Sequence, residues 1–491
     1  MCIHIKCRFL GVWMVVLLGV WCQAGCGMTD DSAQRTWSLG EVAQGQEDGD
    51  SPDADTYETR EGDPLRPGAS EGGLPRLPGF PQVLPECSGE GGCPGERLES
   101  GWCGDPSGCK DRCAEGSDAA AQGDECVCAP QNEGVEMCDG NDDDCDGIVD
   151  NIYADGHLAA RGDLTCVTSR AGALRCFGGG EATGVWPATQ ARLGQVSAGR
   201  GHGCAVGADA QVYCWGDNHF GQALPGGAAF VSAPTRVELN ADIVKVDSGA
   251  DHSCALSTAG EVYCWGRNQY SQLGVGTSVP VDGAVEIEAV LDFVDLSLGA
   301  DHACAATRDG RMLCWGANHF GQTAQGDFDA INVPSWVDIP DYVTQVSAGA
   351  AHTCALTEQE RIYCWGNNEQ GQLGDGTTTS RMHPRVAGEE VLFKSVTAGG
   401  SRTCALRGSG RVYCWGDNQQ GSLGVDGVAS SYLEPTPAAG ALEFSEIRAG
   451  GRHICGLTLR GYLQCWGRGQ DGQLGGGAQT QQRRPRRVDC R

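Results

Sequence analysis

Ser253-Cys254-Ala255-Leu256-Ser257-Thr258-Ala259-Gly260-Glu261-Val262-Tyr263-Cys264-Trp265-Gly266 reads as two strands around a turn. Ser257 to Gly260 carries turn chemistry. Pairing about that centre sets Leu256 opposite Val262 and Cys254 opposite Cys264. Side chains two apart share a face, so Cys254, Leu256, Val262 and Cys264 point one way while Ala255, Tyr263 and Trp265 point the other. Both faces are apolar, as expected of a sheet packed between two others. Directly opposed residues bring their Cβ atoms to about 4.5–5.5 Å, near disulfide reach. A bridge closing so short a loop contributes about 2–3 kcal/mol in the chain-entropy account. A pair of reduced, buried cysteines is the alternative.

The pattern recurs. Cys166 and Cys176, Cys204 and Cys214, Cys254 and Cys264, Cys304 and Cys314, Cys354 and Cys364, Cys404 and Cys414, and Cys455 and Cys465 are each ten positions apart. Successive pairs step by 38, 50, 50, 50, 50 and 51. A period near 50 residues is one propeller blade, too long for a helical hairpin repeat. The chain is therefore expected to be all-β, with a seven-bladed β-propeller over residues 153–491. A Pro-x-x-Val string marks an outer strand between Cys pairs, as in Pro234-Thr235-Arg236-Val237 and Pro384-Arg385-Val386. One such string, Pro485-Arg486-Arg487-Val488, follows the last pair, and none precedes Cys166. The C-terminal strand is therefore expected to complete blade one, closing the ring and hiding its edges.

The fullest copy is Val346, Ala348, Gly349, His352, Cys354, Ala355, Leu356, Tyr363, Cys364, Trp365, Gly366, Asn368, Gly371, Gln372, Leu373, Gly374. It resembles the regulator of chromosome condensation repeat family, seven-bladed propellers with about 50 residues per blade. The Cys-paired variant looks like bacterial exported members. The resemblance implies several activities: the founding member exchanges guanine nucleotide on a small nuclear GTPase on chromatin, and other relatives inhibit β-lactamases or sense ultraviolet light. Blade one departs from the pattern with Leu164, Phe177 and Gly180 in place of His, Trp and Asn; Arg402 replaces His in blade six, and Gly469 replaces Asn in blade seven. The Gly-Trp-Arg-His-Thr string of the photoreceptor relatives is missing, which excludes light sensing.

Residues 1–26 read as a signal peptide: Lys6 and Arg8, a short apolar run from Phe9 to Trp21, then Ala24-Gly25 before Cys26. Gln23-Ala24-Gly25-Cys26 resembles a bacterial lipobox, making Cys26 the expected lipidation site. Its Gln departs from the usual Leu or Val, and ordinary secretion or a retained anchor are the alternatives. Residues 27–85 form an acidic linker, with Glu47-Asp48-Gly49-Asp50 at its heart, too polar to offset its ordering entropy. Residues 86–137 are a disulfide-rich module holding Cys87, Cys93, Cys103, Cys109, Cys113, Cys126 and Cys128 with no histidine. Thin hydrophobic content and the lack of paired CxxC units favour disulfides over zinc. Cys490 would tie the C-terminus to this module.

Residues 138–152 hold Cys138-Asp139-Gly140-Asn141-Asp142-Asp143-Asp144-Cys145-Asp146-Gly147-Ile148-Val149-Asp150. Asp142, Asp144, Asp146, Gly147 and Asp150 match positions one, three, five, six and nine of a calcium loop. Asp139 adds a carboxylate, Cys138 and Cys145 would clamp the loop, and Tyr153 stands where the bidentate Glu usually does. Ca²⁺ is the expected cofactor; a solvated acidic linker is the alternative.

A formal net charge of −29 excludes a general nucleic-acid binder, which needs a basic surface. No nucleophile elbow, phosphate-cradling loop or HExxH string appears. Five histidines at one repeat position (His202, His252, His302, His352, His453) and the six Trp-Gly pairs read as structural, each His making one local hydrogen bond. The divergent stretches 223–236, 275–290, 323–336, 375–390 and 424–440 should project from one rim as binding loops. The expected function is an exported or surface-anchored, non-enzymatic scaffold that engages a protein or envelope polymer, touching the membrane only through a lipid anchor and binding no nucleic acid. The alternatives are an inhibitor of an exported enzyme, guanine-nucleotide exchange, and a polysaccharide-active enzyme in the central funnel.

Overall fold

The hairpin read from the sequence is the centre of a four-stranded antiparallel sheet. In a computed structural model, Ile243–Ser248, His252–Ser257, Val262–Gly266 and Val285–Glu286 pair in chain order, with Cys254 opposite Cys264 and Leu256 opposite Val262. The structure describes residues 153 and 156–488, with breaks at 180–182, 187–190, 289–291, 439 and 476–480, plus the backbone of 118–122 and 125–129. That separate backbone pair, Asp118–Gln122 with Glu125–Ala129, is antiparallel.

Seven such sheets follow one another. Blade one is Leu158–Arg161, Leu164–Thr168, Leu174–Gly178 and Gly184–Trp186. The other blades span residues 193–237, 243–286, 293–337, 343–386, 395–437 and 444–487. First strands touch first strands all the way round, from blade one to blade seven and back to one, so the ring is closed. Among the described residues one 3-10 turn, Gln419–Gly421, interrupts the β structure.

The two apolar faces do what the alternation requires. Cys254, Leu256, Val262 and Cys264 pack with Ala303, Ala305 and Trp315 of the next blade. Ala255 and Trp265 pack with Cys204, Val206 and Cys214 of the previous one. Six tryptophans, Trp215, Trp265, Trp315, Trp365, Trp415 and Trp466, are fully buried there; truncating any one to Ala should cost about 3–5 kcal/mol. The Gly after each Trp is dictated by space. Gly266 sits at φ +101, and a Cβ there would lie 2.8 Å from the Asp251 carbonyl oxygen.

The closure expected from the sequence is corrected. Gln482–Arg487 pairs with Leu463–Gly467 of its own blade, and blade one is built from its own four consecutive strands. Its fourth strand, Gly184–Trp186, has three residues and no Pro-x-x-Val string, which hid it. With that edge filled, the last strand has no slot in blade one. Closure instead repeats the ordinary blade-to-blade contacts. The Gly451 amide donates to the Gly162 carbonyl at 2.7 Å, as Ala250 donates to Ala300 at 3.0 Å, and Leu158 and Val167 pack against Leu457 and Leu463.

The inner edges of blades three to seven are satisfied by side chains of the preceding blade. The Val246, Val346 and Val396 amides donate to Gln195, Asp295 and Gln345; the Ser248, Leu298, Ala348, Ala398 and Ala449 amides donate to Ser197, Asp247, Ser297, Ser347 and Thr397. An unpaired strand edge is thereby capped. Blade one fills the channel itself: the Arg161 guanidinium crosses to the carbonyls of Leu298 and Ala348 on blades four and five. Desolvation lowers its pKa, opposed by Asp247.

Candidate functional site

Strand direction sorts the loops. Turns between first and second strands and the long loops between third and fourth strands leave one face of the disc; the short second-to-third turns leave the other. In blades two to six the long loop is anchored by its repeated Asn. Asn218 Oδ1 accepts the Ala223 and Leu224 amides while its Nδ2 donates to the Leu224 and Ala228 carbonyls. Asn268 and Asn418 staple their loops the same way. The Gln222 side chain accepts the Phe220 amide, and its carbonyl accepts both Trp265 Nε1 and Ser253 Oγ of the next blade, each at 2.9 Å. Rigid loops on a closed scaffold are preorganised for display.

Displayed at one repeat position are Phe220, Tyr270 and Phe320, in three consecutive blades. Phe220 is 49% and Phe320 38% exposed; Gln370, Gln420 and Asp471 take the position in blades five to seven. His219 and His319 flank them, both exposed. Tyr270 meets His319 edge-on at 5.4 Å, and Arg267 covers Phe220 at 5.1 Å. Arg267 is held in turn by Asp251 at 3.0 Å, and Asp251, itself buried, takes Arg200 at 2.5 Å. Burial raises the Asp301 carboxyl pKa, and Arg267 opposes that. Burial also opposes ionisation of Asp217, but its bonds from His219 outweigh it and hold the pKa below the usual carboxylate range. The arrangement is an aromatic arc with cations and carboxylates fixed beside it. Sequence reading missed it, although one repeat column turning aromatic in three adjacent copies was the available signal.

The repeated histidines are structural, with a correction: their hydrogen bond runs between blades. His202 reaches Ser253, His302 Thr353, His352 Thr403, and His453 Thr165, at 2.6–2.9 Å. Each hydroxyl gives its proton to a Gln carbonyl, so each Nε2 carries the ring proton and donates. The rings are buried, and desolvation lowers the His202 pKa to about 4 and those of His302, His352 and His453 to about 3. Arg402, at the same position, pairs with Asp417 at 2.7 Å and reaches the Gly451 carbonyl.

Every repeat bridge expected from the sequence forms. Cys166 is bonded to Cys176, Cys204 to Cys214, Cys254 to Cys264, Cys304 to Cys314, Cys354 to Cys364, Cys404 to Cys414 and Cys455 to Cys465. Each pair sits directly opposed in its hairpin, with Cα–Cα distances of 4.0–4.1 Å. Seven bridges mark an oxidising environment. Among the described residues no helix is long and apolar enough to cross a membrane.

The divergent stretches do not all project from a rim. Four of the five are about half outer strand on the circumference, such as Phe230–Val237 and Arg381–Val386, whereas 275–290 holds only the short strand Val285–Glu286. Channel carboxylates are engaged: Asp247 accepts from Ser197 and two amides, and Asp295 from Lys245 and Val346. Cys26, Cys138, Cys145, Asp139, Asp142, Asp144, Asp146, Asp150 and Cys490 lie outside the described residues, as do the signal segment and the linker.

A closed seven-bladed propeller with one Cys-bridged hairpin per blade defines the class. Models of the regulator of chromosome condensation (RCC1) repeat match residues 195–222, 243–272, 293–322, 343–372, 393–422 and 444–473, and a second set runs from 209 to 457. The chain belongs to the RCC1 repeat family. Among solved structures it is similar to human WBSCR16, with 25% identity, TM-score 0.57, and coverage of 62% of this chain and 85% of that one. It is also similar in fold to yeast RCC1 (Prp20), crystallised bound to Kap60, at 21% identity and TM-score 0.57, covering 63% and 78%. Prp20p from Saccharomyces cerevisiae, described with its binding to Gsp1p and histones, matches at 22% and 0.55, covering 63% and 80%. No curated protein matches.

Proposed function

We propose that this propeller is an exported, non-enzymatic binding scaffold that captures a protein partner on the face carrying the long loops. The observation that carries this reading is the Phe220–Tyr270–Phe320 arc on Asn-stapled loops, its two phenylalanines exposed and Tyr270 half-buried between them. Aromatic residues and Arg set into rigid surroundings are the usual anchors of a protein interface. The signal segment with lipidated Cys26 would place the scaffold on the outer membrane or cell surface. Ca²⁺ held by Asp139, Asp142, Asp144, Asp146 and Asp150, between Cys138 and Cys145, would order the segment ahead of the ring, since packed carboxylates repel without a cation.

The test is capture from the producing organism's envelope fraction by the full chain, with calcium and with EGTA. A Phe220→Ser/Tyr270→Ser/Phe320→Ser variant should lose the partner while keeping its melting temperature. Equal capture by the variant refutes the aromatic face. Retention of calcium-dependent melting changes after Asp142→Asn/Asp144→Asn refutes the metal loop.

A further inference from the structure

Blade seven differs in charge from the rest of the chain. Residues 444–488 hold eight arginines against two acidic residues, Glu446 and Asp471, in a protein whose net charge is −29. Half of those arginines lie on the outer strand, Gln482-Arg483-Arg484-Pro485-Arg486-Arg487, and all four are exposed. Arg484 meets Asp426 at 2.8 Å, a pair in which both side chains are 72% exposed, so it is weakly held. Arg487 stacks on Tyr462 at 3.9 Å. The four cations are strung along about 13 Å of extended backbone.

This edge is poorly suited to strand addition. Pro485 has no N–H to offer a docking strand, and the ladder to the third strand is irregular between Gln482 and Arg486. Recognition therefore falls to the side chains. Arginine forks bind carboxylates in pairs, and a row of them fits a chain of regularly spaced carboxylates. Tyr462, already covered by Arg487, offers no open ring for stacking a base. The acidic remainder of the protein steers a long polyanion toward blade seven and away from the other blades.

We propose that the outer strand of blade seven is an anion-binding ridge that takes a linear, carboxylate-bearing polysaccharide along its length. The ridge is a separate surface from the aromatic arc and does not depend on it. The test is binding of the full chain to immobilised polygalacturonate, with dextran, double-stranded DNA and anionic phospholipid vesicles as comparison probes. Polygalacturonate should bind at about 50 mM salt and be released at about 500 mM, and dextran should not bind. Arg483→Gln/Arg484→Gln/Arg486→Gln should weaken binding by about tenfold or more with melting unchanged. The Phe220→Ser/Tyr270→Ser/Phe320→Ser variant should bind polygalacturonate like the wild type, which separates this outcome from failure of the aromatic face. Absence of binding, equal binding by the arginine variant, or tighter binding to DNA or vesicles overturns the proposal.

Discussion

His252 shows what a single residue at a blade interface contributes. Its counterparts in blades two, four, five and seven each donate to a hydroxyl on the next blade, but His252 faces Ala303, and neither ring nitrogen has a protein partner. The histidine and the Gln carbonyl of that relay belong to one blade and the hydroxyl between them to the next, so losing the hydroxyl strands the histidine. Where blade one has Leu164, the next blade has Gly203; where blade six has Arg402, the next has Ile454. Each pair drops the histidine and its hydroxyl together, and only His252 lost its partner alone. Ala303→Ser should therefore restore the relay, His252 donating to the new hydroxyl and the hydroxyl to the Gln272 carbonyl. The expected gain is about 1 kcal/mol, read as a rise in urea midpoint with an unchanged slope. The same change at Ala305, which has no histidine facing it, should give no gain.

At the scale of the element, the hairpin and its bridge were the most legible part of the molecule. A turn flanked by alternating residues carries its own register, so Cys254 against Cys264 followed from local chemistry, and the same held for Cys166 against Cys176 in the degenerate first blade. Partners of the histidines were not legible, because the contact joins positions about 51 apart and exists only once the ring has formed. The fourth strands were half-legible. Exposed and proline-bearing, they vary from blade to blade, and their divergence was read as loop. Gly184–Trp186 was not legible at all, because it has three residues and no Pro-x-x-Val string to mark it. The aromatic arc was not legible because Phe220, Tyr270 and Phe320 are about 50 residues apart in the chain and come to one face only in the closed ring. Because the bridge closes a loop the turn already holds, its effect should be confined to its own blade. Cys254→Ala with Cys264→Ala should lower stability by about 2–3 kcal/mol and raise amide exchange across residues 243–286. Exchange in blades five to seven should stay at wild-type rates; uniform acceleration around the ring would show that the bridge acts on the whole.

For the whole molecule, closure without a shared strand places the burden of ring integrity on seven similar interfaces. Five of these hold a buried histidine, at 202, 252, 302, 352 and 453. All five have pKa values depressed by desolvation, so the unfolded chain binds protons that the ring rejects. Their contribution to stability is fully present above the unfolded value of about 6.5. It is lost as pH falls from there toward about 4 for His202 and about 3 for His302, His352 and His453. Urea midpoints should thus be level between about pH 7 and 8 and decline below about pH 6.5, before most carboxylates begin to titrate. His252→Leu, which copies the residue of blade one, isolates one of these groups. Proton uptake on unfolding near pH 5, taken from the slope of stability against pH, should fall by close to one proton in that variant. An unchanged slope would mean that His252 is protonated in the folded ring, where its desolvated site between blades three and four has no acceptor to offer it.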